Sequence, residues 1–362
     1  MPDYAGLLLP SDAYDVVDNQ IIGRRVAGRS MVQGFAKELL PGQSLPIICF
    51  SPQEKKKLQS LLLPLLSPGS SLSFHHLNTQ VLESLGAIHV PDPGLTRWQL
   101  LRSGRPSNSF SITGVIHTLS SSDVFSEIER LCISSLHPWD ALVCTSNSGK
   151  HVVESVFHNV HNHLQKRYDT KLPFPSGAQL PVIPLGCLDA FEGDSRPRKS
   201  RRAAARAELE IDYSSLVILF LGRLSFHSKA HPLPLYHALS RLTCDFPDRS
   251  IILLECGHIY SDPIHSAFIE LQDLFPYLSI KRLGGLTPAT ENQKKLALAA
   301  ADVFVSLADN IQETFGLSVI EAMSASLPTI VSDWNGYKDL VENGVSGFLI
   351  PTEMVVDESG HH

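Results

Sequence analysis

Apolar and polar positions change period along this chain, and the changes come in a regular order. Short apolar runs suited to buried strands fall at Tyr4–Leu9, Ile47–Phe50, Leu72–Phe74, Ala87–Val90, Ile112–Ile116 and Ala141–Cys144. Helical spacing separates several of them. Ile21, Ile22, Val26, Met31, Phe35 and Leu39 predict a helix within Asp18–Leu40, entered through a loop carrying Gly23, Arg24, Arg25 and Gly28, and Ser122–Leu136 predicts another. The rhythm restarts in the second half, with strand runs at Leu216–Leu221, Ile251–Leu254, Leu278–Lys281, Val303–Ser306, Thr329–Val331 and Phe348–Ile350. Helices are expected there over Asn292–Ala301 and Ser318–Ser326. Alternation of this kind predicts an α/β protein whose parallel sheets are covered on both faces.

Between the halves the pattern breaks into charge and turn formers. Arg196, Arg198, Lys199, Arg201, Arg202 and Arg206 crowd into one segment, read as a solvated linker helix ahead of a phosphate or membrane patch. The expected organisation is therefore a first domain over 1–186, a linker over 187–213 and a second domain over 214–362. A length of 362 residues suits two domains, and 43% hydrophobic with 19% charged residues is globular composition. A net charge of −7 gives no support to a general nucleic-acid role.

The six cysteines form no C-x-x-C pair, and Cys132, Cys144 and Cys256 sit in apolar runs, which predicts reduced, buried thiols and a cytoplasmic protein. Sixteen histidines are present, with clusters at His75-His76, at His158, His161 and His163, and at His361-His362. None has a recognised ligand spacing, so no metal is expected. The N-terminus carries Asp3 and no basic region, which argues against a secretory signal. No stretch approaches the ~20 apolar residues that span a bilayer, so no transmembrane segment is expected and peripheral membrane contact stays open.

Candidate chemistry concentrates in Asp309–Pro328, DNIQETFGLSVIEAMSASLP. Glu313 and Glu321 have seven residues between them, and a helix starting near Gly316 would leave free backbone N–H groups facing an anion. GRLSFHSKAHPLP follows the first strand of the second half and supplies Arg223 and Lys229 with no acid between them. Growing negative charge on a departing diphosphate calls for such cations. His117 directly follows an apolar strand, where ligands of open α/β sheets bind, although a capping or core histidine fits equally. Thr145, Ser146 and Ser148 read as helix caps or as part of a strand-to-helix motif. Arg282–Leu286 reads as a loop in which Gly284 and Gly285 let the backbone approach a ligand.

ETFGLSVIEAMSASLP, continued by PTIVSDWNGYKDLVENGVSGFLIP, resembles the Glu-x7-Glu motif of retaining glycosyltransferases of the GT-B fold, glycosyltransferase family 4 in particular. The resemblance is strong over about 215–352 and looser over 1–190, where Pro181–Gly186 is similar to the family's strand before the interdomain crossover. It implies two Rossmann-like domains facing a cleft. It also implies transfer of a hexose from a nucleotide sugar, such as a UDP- or GDP-hexose, to the hydroxyl of a glycan or other acceptor. No cofactor and no metal is implied.

Carried over by position, Glu313 sits at the sugar without acting as a covalent nucleophile, and His117 contacts the donor sugar or the acceptor site. Arg223 and Lys229, with the N–H groups of Phe315, Gly316 and Leu317, take the diphosphate. Glu321 takes the ribose, and Gly284 and Gly285 read the base. The chain departs from the family at Ala230, which replaces a glycine after Lys229, and at Ser326, which replaces a glycine in a turn that favours positive φ. Few residues follow Ile350, so the family's closing helix is expected to be absent and the second domain incomplete. Two alternatives remain: a non-catalytic nucleotide-sugar-binding or assembly protein, and a GT-B-related epimerase or hydrolase.

Overall fold

The computed structural model describes residues 4–15, 23–119, 121–174, 177–226, 228–310 and 313–353. Asp3, Ile21, Ile22 and His361-His362, singled out above, lie outside the described residues. The chain divides into two compact units, Met1–Cys187 and Leu188–His362.

The first unit runs β1 (Gly6–Leu8), α1 (Ser11–Tyr14), α2 (Gly23–Glu38), β2 (Ser44–Ile48), α3 (Pro52–Leu62), β3 (Ser71–His75), α4 (Thr79–Leu85), β4 (Ala87–His89), α5 (Thr96–Gln99), β5 (Ser111–Val115), α6 (Ser122–Cys132), β6 (Ala141–Val143) and α7 (Asn147–Tyr168). Its six strands pair in parallel in the order β3-β2-β1-β4-β5-β6. Ile47, Ile48, Ile88, Ile112 and Leu142 are wholly buried, because helices cover both faces of the sheet. Polar side chains start the helices. Ser51 and Glu54 close a capping box on α3, and Asn78, Ser121 and Ser146 cap α4, α6 and α7. Ser146 is thus a cap, the plainer of its two readings.

Two expectations in this half need correction. Gly23, Arg24, Arg25 and Gly28 lie within α2 and not in a loop ahead of it, and its buried side is built from Ala27, Gly28, Val32 and Ala36. Phe35 is exposed instead, because the buried stripe follows the small residues that let α2 approach closely. Pro181–Gly186 forms no strand, only an isolated bridge from Val182 to Cys144.

The second unit runs α8 (Arg198–Glu208), β7 (Leu216–Arg223), α9 (Leu233–Asp245), β8 (Ile251–His258), α10 (Asp262–Asp273), β9 (Ser279–Gly285), α11 (Glu291–Ala300), β10 (Val303–Ser306), α12 (Leu317–Ser324), β11 (Thr329–Ser332) and β12 (Gly347–Ile350). Its strands are again parallel, ordered β12-β11-β10-β7-β8-β9. Both sheets therefore share one winding, which reverses direction between β1 and β4 and between β7 and β10. Open sheets of this kind bind ligands at the carboxyl ends of the strands flanking that reversal.

The basic segment read as a solvated linker is in part structural. Arg206 on α8 is 1% exposed, donates to the carbonyls of Ala300 and Ser215, and pairs with Asp302 at 2.7 Å. Arg202 pairs with the same carboxylate at 2.8 Å, so α8 is bolted to the end of α11. Arg196 and Arg198–Lys199 stay exposed. Burial pushes the thiols of Cys144 and Cys256 up to about 12, and all six cysteines are free.

Candidate functional site in the second unit

The loop after β7 and the loop after β10 leave the sheet side by side, because β7 and β10 are neighbours. Lys229, on the first loop, forms an ion pair with Oε1 of Glu313, on the second. Asn310 ties the same loops a second time, its amide donating to the Lys229 carbonyl at 2.5 Å. The Trp334 indole donates to the Asn310 carbonyl at 3.0 Å. Glu313 is 7% exposed, and its other oxygen, Oε2, accepts from the Tyr337 hydroxyl at 3.1 Å. Tyr337 is wholly buried and also meets Ser306 Oγ at 2.9 Å. Burial, with the Glu313 carboxylate beside it, holds its phenol well above the usual tyrosine range, so it stays a neutral donor.

Phe315, Gly316 and Leu317 lead into α12, with Gly316 as its N-cap at φ 114°. A side chain on Gly316 would stand 2.7 Å from the Tyr337 ring, so both its conformation and its contact exclude a Cβ. Glu321 lies within α12, and its Oε1 accepts from Lys294 Nζ at 2.6 Å. Burial disfavours the Lys294 ammonium, but Glu321 and Glu291 outweigh it and raise the pKa above the ordinary lysine value. Arg223 ends β7, half-buried, with its guanidinium 5.8 Å from the centre of the Tyr260 ring. Among the described residues no carboxylate lies within ion-pair distance of it.

Gly284 and Gly285 belong to β9 itself and not to a loop after it, which corrects the reading of Arg282–Leu286. Gly222, Gly257 and Gly284 stand in register across β7, β8 and β9. A Cβ on Gly257 would overlap the Gly222 carbonyl, and one on Gly284 the Gly257 carbonyl. Two residues before this row the buried Glu255 accepts from Arg282 at 2.7 Å and from Tyr236 at 2.7 Å. A cavity of about 20 Å³ beside Glu255, Leu224, His231 and Phe268 has room for one water and not for a nucleotide.

His117 follows β5 in the first unit. Burial lowers its pKa to about 4, with Arg24 and His89 adding to the effect and Asp92 opposing it. His89, at the end of β4, is likewise lowered to about 4 by burial, and its Nδ1 meets Thr113 Oγ1 at 2.9 Å. Both imidazoles are neutral at pH 7. Among the described residues no group of three or more His, Cys, Asp or Glu could hold a metal ion.

The structure therefore brings Lys229, Glu313, Phe315 and Gly316 together. Tyr337, Asn310 and Lys294 join the candidate residues without having been expected. Tyr337 lies inside the run quoted for the resemblance, but a tyrosine in an apolar, turn-rich segment signals only core packing. Lys294 falls within the helix expected over Asn292–Ala301, and residue type there signals nothing more.

Residues 201–359 match the family Glycosyl transferases group 1. Over 159 residues the chain is 31% identical to the D-inositol 3-phosphate glycosyltransferase of Nocardia farcinica, covering 43% of this chain and 34% of the relative. Over 137 residues it is 31% identical to the phosphatidyl-myo-inositol mannosyltransferase of Mycolicibacterium smegmatis, covering 38% and 32%. The chain thus spans about a third of the length of these curated relatives. Among solved structures, Anabaena HepE in complex with UDP aligns over 96% of this chain and 86% of its own, with a TM-score of 0.59 at 14% identity. The N-terminal domain of Candida albicans trehalose-6-phosphate phosphatase aligns over 92% and 85%, with a TM-score of 0.56 at 12% identity. Two parallel α/β units of this kind make up the two-domain GT-B-like fold expected from the sequence.

Proposed function

We propose that this chain is a retaining glycosyltransferase that moves a hexose from a nucleotide sugar to an acceptor hydroxyl. One observation carries the reading. Arg223, Lys229 and Glu313 stand at the carboxyl ends of β7 and β10, where the second sheet reverses its order, directly ahead of α12. In this reading Arg223 and Lys229, with the N–H groups of Phe315, Gly316 and Leu317, take the diphosphate as charge grows on it. Glu313 accepts from sugar hydroxyls, and Glu321 from the ribose. Gly285 leaves open space for the base along the edge of β9, beside Gly284, which packs against the Gly257 carbonyl. On the first unit, a neutral His117 suits a hydrogen bond to a sugar hydroxyl. The relatives named for inositol-containing acceptors support a hydroxyl acceptor, and HepE solved with UDP supports a nucleotide donor.

The test is a transfer assay with UDP- and GDP-hexoses and a panel of hydroxyl acceptors, with the product anomer read by NMR. Acceptor-dependent product that keeps the donor's anomeric configuration is expected. An inverted product would remove the retaining assignment. Donor consumption without acceptor would favour a hydrolase or epimerase.

A further inference from the structure

We infer that Tyr337 is a positioning residue for Glu313, holding its carboxylate in place while Lys229 exchanges Glu313 for a donor phosphate. This rests on the reading of the second unit as a nucleotide-sugar site. The two oxygens of Glu313 are divided between two unlike partners. Oε1 faces the Lys229 ammonium, carried on a flexible stem in the loop after β7. Oε2 faces the Tyr337 phenol, which is wholly buried and held as well by the hydroxyls of Ser306 and Ser318. An incoming diphosphate competes for the lysine. A carboxylate held by the lysine alone would be free to follow it.

Tyr337 cannot follow, for two reasons of packing and one of charge. Its ring lies against Gly316, where even a methyl group would be 2.7 Å away, so the ring closes the space beneath the loop. Its neighbour Gly336 donates its N–H to the Glu313 carbonyl at 3.2 Å, so the turn Asn335–Asp339 grips Glu313 at both backbone and side chain. The phenol is also neutral, so its bond to Glu313 survives a change of cation nearby. The lysine is the exchangeable partner and the tyrosine the fixed one.

The experiment is calorimetric titration of the full chain and its variants with UDP, GDP and the corresponding hexose nucleotides. Tyr337→Phe is expected to weaken the nucleotide sugar about tenfold and to leave the free nucleoside diphosphate within about twofold, since only the sugar meets Glu313. In a Glu313→Ala background, which removes the acceptor of that bond, the same change should have no further effect, as expected of two residues acting through one bond. Ser306→Ala leaves the phenol its bond to Glu313 and its contact with the Ser318 hydroxyl, so it should leave both ligands within about twofold and controls for general loosening. Equal weakening of both ligands by Tyr337→Phe, or full additivity with Glu313→Ala, would make Tyr337 a packing residue and overturn the inference. If the unaltered chain binds neither kind of ligand, the nucleotide-sugar reading falls and this inference with it. If it binds both and Tyr337→Phe changes neither, only the inference falls.

Discussion

Ser326 shows how a single side chain can depart from a pattern without changing the backbone. It stands where the resembled family favours glycine, and its φ of 61° is left-handed. The turn keeps its geometry, and the serine bears the steric cost of about 1 kcal/mol. Ser326→Gly is therefore expected to raise unfolding stability by up to about 1 kcal/mol, read by urea denaturation, with loss of stability as the contrary result. This position was legible because its role is a backbone angle, which residue type reports directly. Tyr337 was not legible, because its role depends on a partner 24 positions away in sequence. Lys294 and Glu321 illustrate the same limit: each sits at ordinary helical spacing, and only the packing of α11 beside α12 makes them a pair.

Elements were easier to read than their ends. Every sequence-predicted strand of the second half appears; the inner strands β7, β8 and β10, buried on both faces, leave continuous apolar runs, while the edge strand β12 exposes Phe348 and Ile350. Gly284 and Gly285 were misplaced into a loop because glycine reads as a breaker, whereas here it lets β8 and β9 carry close backbone contacts to the sheet edge. The arginines of α8 were misjudged for a related reason. Charge in sequence reads as solvent exposure, yet Arg206 is buried by carbonyls and Asp302. Arg206→Leu should cost about 3 kcal/mol in denaturant unfolding, because it leaves Asp302 and those carbonyls short of a donor. A cost under about 1 kcal/mol would show that α8 is not bolted in this way. Glu313, ahead of α12, and Glu321, within it, are expected to separate in kinetics. Glu321→Ala should mainly raise the donor KM, since ribose contacts are alike in ground and transition states, while Glu313→Ala should mainly lower kcat. Matching effects on one parameter would contradict the division.

At the scale of the whole molecule, two units repeat one winding and carry different chemistry. The first holds two neutral histidines at the ends of β4 and β5. Folded values of about 4, against an ordinary 6.5, mean that the unfolded chain binds more protons between those limits. Their contribution to stability is present above about pH 6.5 and is lost as pH falls toward about 4. His89→Asn and His117→Asn should each flatten the fall in unfolding stability across that window, and an unchanged slope would show that these imidazoles do not titrate on unfolding.

The second unit carries the central claim, that the carboxyl ends of β7 and β10 receive a nucleotide sugar. Calorimetric titration of the full chain with UDP- and GDP-hexoses, repeated with Arg223→Ala, tests it most directly. One of the two donor classes should bind with a Kd between about 1 μM and 1 mM, in keeping with ordinary substrate affinities. Arg223→Ala should weaken that binding by about 1.5–3 kcal/mol through loss of a charge-assisted contact. Absence of binding by both classes, or affinity unchanged in Arg223→Ala, would contradict the account.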